Sequence, residues 1–202
     1  DAGSTRGGQI VASIRAEPRT FNRYIARDQT SEVLTVLTQG RLVRINRATF
    51  ELEPWLAETW ESPTPTSVVL KLKRGVTFTN GDPVNAQAVV YNVEKWVDTK
   101  TPSPFLRQNI TELRSAEAPD DYTVKLNYAK RSFLGFEILA NPFASIISPK
   151  SQIRTEGADL QTDPLGSGAF KLTRWSRGQN ILMEKNPNAS FAIEQSFPFT
   201  SM

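Results

Sequence analysis

The chain has 202 residues, with 24 Lys and Arg against 21 Asp and Glu for a net charge of +3, and it is 39% hydrophobic and 22% charged. That length and apolar content suit one or two packed cores and exclude a mainly disordered state. The sequence contains no Cys and no His, which excludes disulfides, thiolate or imidazole metal ligands, a Cys nucleophile and a His-based triad, and leaves any hydrolase to carboxylates, Lys or Tyr.

Asp1 to Gly8 is polar and Gly-rich and reads as a frayed end, and Gln9 to Ala16 as a strand. Asp28 is placed to cap a helix over Gln29 to Thr38, with Val33, Leu34 and Leu37 on one face and Gly40 as its stop. A strand at Leu42 to Ile45 follows, then an apolar-rich turn at Pro54 to Trp60. From Thr66 to Lys73 the alternation of Val68, Leu70 and Leu72 with Val69, Lys71 and Lys73 predicts a half-buried strand.

Asn80-Gly81 supplies a turn, and Asn85 caps the clearest helix in the chain, with Val89, Val90, Val93, Trp96 and Val97 at helical spacing before Pro102 and Pro104. Asp120-Asp121 turns the chain into a strand of alternating Tyr122, Val124, Leu126 and Tyr128. Ser132 is placed to cap a further helix bearing Phe133, Leu134, Phe136 and Leu139, and Ile146-Ile147 forms a short strand ended by Pro149. After a polar stretch at Thr155 to Gln161, a hairpin is predicted from Ala169 to Trp175 and Ile181 to Lys185, joined by Ser176 to Asn180. Residues 191–202 show no regular period.

The charge is nearly balanced along the chain. Its one bias is between Arg6 and Arg47, where eight Arg meet only Glu17, Asp28 and Glu32. Scattered Arg without interleaved aromatics makes a poor nucleic-acid groove. No run approaches the roughly 18 apolar residues of a membrane-spanning helix, and the first 30 residues carry no apolar signal core. The Asp at position 1 suggests a processed end.

Four ordered stretches resemble the extracellular solute-binding proteins of family 5, the peptide, nickel and oligosaccharide receptors of ABC importers. The first runs from Gly7-Gly8-Gln9-Ile10 through Glu17-Pro18-Arg19-Thr20-Phe21-Asn22, and the second is Gly40-Arg41-Leu42-Val43 with Pro54-Trp55-Leu56-Ala57-Glu58-Thr59-Trp60. The third is Leu70 to Phe78 with Asn80-Gly81-Asp82-Pro83-Val84-Asn85-Ala86 and Val89-Val90-Tyr91. The fourth is Gly166-Ser167-Gly168-Ala169-Phe170-Lys171-Leu172 with Trp175 and Asn186-Pro187-Asn188. The pattern departs at Ala88, Ala169, Ala189 and Ser190, where the family has an acidic residue, a Pro and an aromatic pair.

The resemblance implies an α/β fold: the mixed sheet of a periplasmic-binding-protein type II lobe I with an inserted smaller α/β subdomain and the second lobe missing. Residues 1–52 would be the first part of lobe I, 53–163 the inserted subdomain, 164–190 the return to the lobe I sheet, and 191–202 an unmatched tail. It implies a non-catalytic receptor for a small solute, with peptides as the commonest class, that works with ABC transporter membrane subunits outside the cytoplasmic membrane. No cofactor, metal or nucleic acid is implied, and attachment to the membrane would be through a lipid anchor ahead of Asp1. The cleft wall of lobe I would include Thr20, Phe21 and Asn22, the turn of Gln39, Gly40 and Arg41, and Phe105 and Asn141.

Each of these residues has a plainer role open to it. Phe21 can plug the core below its loop, Asn22 can brace its own turn, and Gly40 can serve as a helix stop. Trp55, Trp60, Trp96 and Trp175 read as core packing rather than stacking platforms. The pairs Glu51 with Glu53 and Asp120 with Asp121 read as solvated turns, because a glycosidase needs two carboxyls facing each other across roughly 5 to 9.5 Å. Gly166-Ser167-Gly168 lacks the Lys-Ser/Thr of a phosphate-binding loop and reads as a turn. A carboxylate hydrolase and an oligomerising scaffold remain the alternatives to a receptor.

Overall fold

A computed structural model describes residues 9–22, 28–46, 48–98, 108–131, 136–151 and 165–189. Its largest unit is a four-stranded antiparallel sheet built from β4 (Ala57–Thr64), β5 (Ser67–Leu72), β6 (Leu113–Asp120) and β7 (Thr123–Tyr128), in the order β4-β5-β7-β6. The register sets Val68 opposite Leu126 and Leu70 opposite Val124, so the apolar positions of both central strands line one face. Helix α2 (Ala86–Val97) covers that face with Val89, Val93 and Trp96, all fully buried. Asn85 caps α2 by accepting the Ala88 N–H at 2.9 Å.

The opposite face of the sheet is polar. Lys71 donates to Thr123 Oγ1, Asn127 donates to Glu117 and Ser115, and Lys125 pairs with Glu117. This alternation is what made β5 and β7 readable from sequence. Strand β6 was not expected; its burial is irregular, with register shifts on both sides of Ser115 to Glu117.

Three smaller antiparallel pairs complete the described fold: β1 (Gly40–Arg41) with β8 (Ser145–Ile146), β2 (Val43–Ile45) with β3 (Leu52–Pro54), and β9 (Phe170–Ser176) with β10 (Asn180–Lys185). The last is the expected hairpin, turned at Gly178 with a positive φ of 71°.

The structure corrects several expectations. Residues 9–16 form no strand, and Ile10 and Val11 are exposed, so the apolar positions of this stretch are not held against a core. Helix α1 (Gln29–Thr38) has the expected span and Asp28 cap, but it buries Ser31, Leu34, Thr35 and Thr38, while Val33 is 47% exposed. A hydroxyl-rich face can be buried because Thr35 and Thr38 return their hydroxyls to the carbonyls of Ser31 and Leu34, at 2.8 and 2.9 Å.

Gly40 does not stop α1. Gln39 is the C-cap in an extended conformation, and Gly40 begins β1. The turn expected at Pro54 to Trp60 is the end of β3 and the start of β4, because the Leu56 and Ala57 amides donate to the carbonyls of Arg41 and Leu42 and so extend the pairing. In the region of the expected Phe133 to Leu139 helix, the described part is a 3-10 turn, Glu137–Ala140, followed by a second at Pro142–Ala144; Pro142 prevents a longer run. Residues 1–8, Pro102, Pro104, Ser132 to Leu134, Thr155 to Gln161 and 191–202 lie outside the described residues.

Candidate ligand-facing wall

The expected wall residues are brought together by four chain segments that meet around Gly40. Gly40 pairs with Ile146 and Arg41 with Ser145. From the other side, the Gly168 N–H donates to the Thr38 carbonyl at 3.0 Å. A Cβ on Gly40 would stand 2.5 Å from Ser167 Oγ, and one on Gly168 would press into the backbone of Thr38, 2.5 Å from the Leu37 carbonyl and 2.6 Å from the Gln39 nitrogen. Gly168 therefore serves a close backbone crossing, whereas the space over Gly40 is taken by the side chains of Ser167 and Leu56.

The Thr20–Asn22 loop closes over this crossing. Gln39 Nε2 donates to the Phe21 carbonyl at 3.0 Å, the Thr20 N–H reaches Ser31 Oγ at 3.5 Å, and the Asn22 N–H donates to Thr20 Oγ1 at 3.0 Å. Phe21 is fully buried, with its ring edge-on to Trp175 at 5.4 Å. Thr20, Asn22 and Gln39 are also buried, so these side chains lie within the packed wall.

Arg41 and Asn141 are half-buried. The Arg41 guanidinium stacks over Trp55 at 4.6 Å and donates from Nη1 to the Ala140 carbonyl at 2.6 Å. Asn141, the next residue, accepts the Phe143 N–H at 3.1 Å and so caps the second 3-10 turn. Arg41, Trp55 and Asn141 thus make one corner. Phe105 lies outside the described residues.

Of the four tryptophans, Trp55 and Trp96 belong to the core and Trp60 packs at its edge, tilted on Phe136 at 5.3 Å. Trp175 is not a core residue. Its Nε1–H donates to Glu17 Oε1 at 3.0 Å, and the Arg177 guanidinium lies over its ring at 4.1 Å. Sequence reading also missed Asn92, which is fully buried on the apolar stripe of α2. A lone amide between Val89 and Val93 was the available signal.

The carboxylate pairs have structural roles. Glu53 is held by Arg44 at 2.7 Å and by Asn46 Nδ2. The hydroxyl of Thr123 and the amide N–H of Tyr122 hold the Asp120 carboxyl below its ordinary value of 3.8, which is the wrong direction for a general acid. The Gly166 carbonyl accepts the Thr79 N–H at 2.9 Å, which ties the Gly166–Gly168 stretch to the segment after β5. Among the described residues, no group of three or more His, Cys, Asp or Glu could hold a metal ion.

Residues 51–192 match the family of bacterial extracellular solute-binding proteins, family 5 Middle. The chain belongs to this family. Its members are transport-related binding proteins rather than enzymes, and they are periplasmic or extracellular. Relatives in the family include the glutathione-binding protein GsiB of Escherichia coli O1:K1, 28% identical over 88% of this chain and 34% of that protein. The periplasmic oligopeptide-binding protein OppA of Salmonella typhimurium is 27% identical over 70% of this chain and 30% of that protein. Among solved structures, the binding protein AgaA of A. tumefaciens R10 in complex with agropinic acid superposes with a TM-score of 0.74 at 26% identity, covering 85% of this chain and 34% of its own.

The chain therefore spans about a third of the length of the relatives it matches. The α/β class and the lobe-type architecture of the family 5 fold are those of these neighbours. No helix among the described residues is long and apolar enough to cross a membrane.

Proposed function

We propose that the chain is part of the substrate-binding component of an ABC importer, capturing peptides or a similar small solute outside the cytoplasmic membrane without altering it, and handing it to the membrane subunits. The family 5 match over residues 51–192 carries this reading. The names of its relatives, glutathione-binding and oligopeptide-binding, favour peptidic cargo.

In this reading residues 1–52 and 164–190 belong to lobe I and 53–163 to its inserted subdomain. Thr20, Phe21, Asn22, Gln39 and Gly40 shape the wall, and Arg41, with Asn141 and Phe105, faces the ligand. The inward hydrogen bonds of the first group and the half-buried Arg41 and Asn141 beside the buried Trp55 support this division of labour. A guanidinium held over an indole keeps its charge while losing little entropy on binding, which suits a carboxylate or a peptide carbonyl.

Capture in a two-lobed receptor draws contacts from both sides of a closing cleft. About two thirds of each relative lies outside the region matched here, so binding by this chain alone is expected to be weak, with a Kd near or above 1 mM, about 4 kcal/mol. Equilibrium dialysis against a defined mixture of di- to pentapeptides, read by mass spectrometry, tests this reading. The expected result is weak retention of peptides of unchanged mass, reduced by Arg41→Ala. Accumulation of cleavage products would replace the receptor with a hydrolase, and submicromolar retention would show a self-sufficient pocket.

A further inference from the structure

We infer that Trp175 is a positioning residue that holds the Thr20–Asn22 loop in place through a clamp formed with Glu17 and Arg177. This inference rests on the proposed wall for its functional meaning, and its geometry stands apart from any ligand. Three consecutive residues, Thr20, Phe21 and Asn22, are buried although they lie in no helix or strand. A loop can be buried in that way only if something outside it supplies the order that secondary structure would.

The support comes from β9, at the far end of the sequence. The Trp175 indole meets the loop at Phe21, in a T-shaped contact at 5.4 Å with the planes 80° apart, and is tied just ahead of the loop through Nε1–H to Glu17 Oε1 at 3.0 Å. Arg177 closes the triangle: its guanidinium lies 4.1 Å from the Trp175 ring centre and 3.9 Å from the same Glu17 oxygen. The indole is thus fixed on its edge by a carboxylate and on its face by a cation, which leaves its rim against Phe21. The opposite side of the loop is held by Gln39 Nε2 on the Phe21 carbonyl and by Ser31 Oγ beneath the Thr20 amide.

The exposed Glu17–Arg177 contact contributes little by itself. Its effect is to orient the ring, and the ring orders the loop. Because β9 and β10 pair with each other and with no other strand among the described residues, the clamp also gives this hairpin its attachment to the opening segment. Movement of the hairpin is thereby transmitted to the loop.

Amide hydrogen exchange of the whole chain, followed by NMR without ligand, tests the clamp. The amides to follow are Thr20 and Asn22, with Val89 and Val93 of α2 as internal reference. Trp175→Ala is expected to speed exchange at Thr20 and Asn22 by about tenfold, the factor set by one hydrogen bond, with the α2 amides unchanged. Glu17→Leu should give a smaller increase at the same two amides, and Glu17→Gln, which keeps the accepting oxygen, should restore protection.

Unchanged exchange at Thr20 and Asn22 in both Trp175→Ala and Glu17→Leu would overturn the inference. So would equal acceleration at α2, which would make Trp175 a general stabiliser. Should Trp175→Ala not fold, the Glu17→Leu and Glu17→Gln pair decides by itself. Retention of tri-alanine in dialysis addresses the receptor reading separately: its loss in wild type would count against that reading and leave the exchange result standing.

Discussion

The side chain of Asn92 substitutes for a strand partner of Ile147. Its Nδ2 donates to the Ile147 carbonyl at 2.8 Å, and its Oδ1 accepts the Ile147 N–H at 3.2 Å. The same Nδ2 reaches the Ala88 carbonyl at 2.8 Å, and the residue is fully buried. The amide therefore fastens the backbone just after β8 onto α2, and β8 in turn pairs with Gly40 and Arg41 at the wall.

Replacing Asn92 with Leu fits the apolar stripe but strands a buried N–H and a buried C=O on Ile147. Each unsatisfied group costs about 1–3 kcal/mol, so Asn92→Leu is expected to destabilise by about 2–6 kcal/mol. Urea unfolding measures this directly. A loss below 0.5 kcal/mol, taken as about the noise of surface changes, would show that the Ile147 segment finds other partners.

Gly168 and Gly40 look alike in sequence and differ in what surrounds them. At Gly168 an added Cβ meets backbone atoms of Leu37, Thr38 and Gln39, which cannot move aside without shifting the end of α1. At Gly40 the nearest atom is the tip of a serine side chain. Gly168→Ala should therefore cost about 2–3 kcal/mol or more, and Gly40→Ala clearly less, with Ser167→Gly relieving part of the Gly40→Ala loss. Thermal unfolding of the three single variants and the Gly40/Ser167 double variant checks the order.

Phe50 closes the β2–β3 hairpin with a φ of 61° while 82% exposed. An L-residue pays strain in this left-handed region, and an exposed ring recovers little of it by packing. Phe50→Gly is expected to raise stability by about 0.5–1 kcal/mol, and Phe50→Ala to leave it nearly unchanged. Denaturant midpoints compared at constant m-value decide the matter.

Asp82 and Asp120 both sit below the ordinary aspartate value of 3.8. Asp82 is lowered first by its hydrogen bond from Lys150 at 2.8 Å, and Asp120 first by the hydroxyl of Thr123 at 2.7 Å. A carboxyl whose folded pKa is depressed contributes stability above its unfolded value and loses it as pH falls through the folded value. The chain should thus lose stability progressively as pH falls below 3.8, and Asp82→Asn combined with Asp120→Asn should flatten that part of the profile. Both groups are at the surface, so 0.5 M salt should weaken the Asp82–Lys150 share. Melting temperatures between pH 2.5 and 6 provide the readout; an unchanged slope in the double variant would refute the assignment.

Elements whose partners lie close in sequence were legible because their own periodicity states which face is buried. In α2 the spacing of Val89, Val93 and Trp96, and in β5 and β7 the alternation around Leu70 and Val124, agree with the observed burial. Helix α1 shows where that rule fails. Its apolar residues pointed to Val33, Leu34 and Leu37, yet the face turned inward carries Ser31, Thr35 and Thr38, because Thr35 and Thr38 satisfy their hydroxyls on the carbonyls of the helix itself and Ser31 Oγ accepts the Thr20 amide. The burial of Thr20, Phe21 and Asn22 had no local signature.

Composition and periodicity were enough to establish the helix caps at Asp28 and Asn85, the central strands and the absence of Cys and His chemistry, because each depends on residue content or on neighbours within a few residues. The arrangement of the wall depended on contacts over long spans. Arg41 reaches a carbonyl 99 residues away, and Trp175 a carboxylate 158 residues away. Such contacts follow from how the whole chain closes on itself, and the cost of ordering the intervening backbone is met by the shared core rather than by the residues in contact. That is why only the folded chain shows Gly168 as a crossing point, Asn92 as a backbone substitute and Trp175 as a clamp.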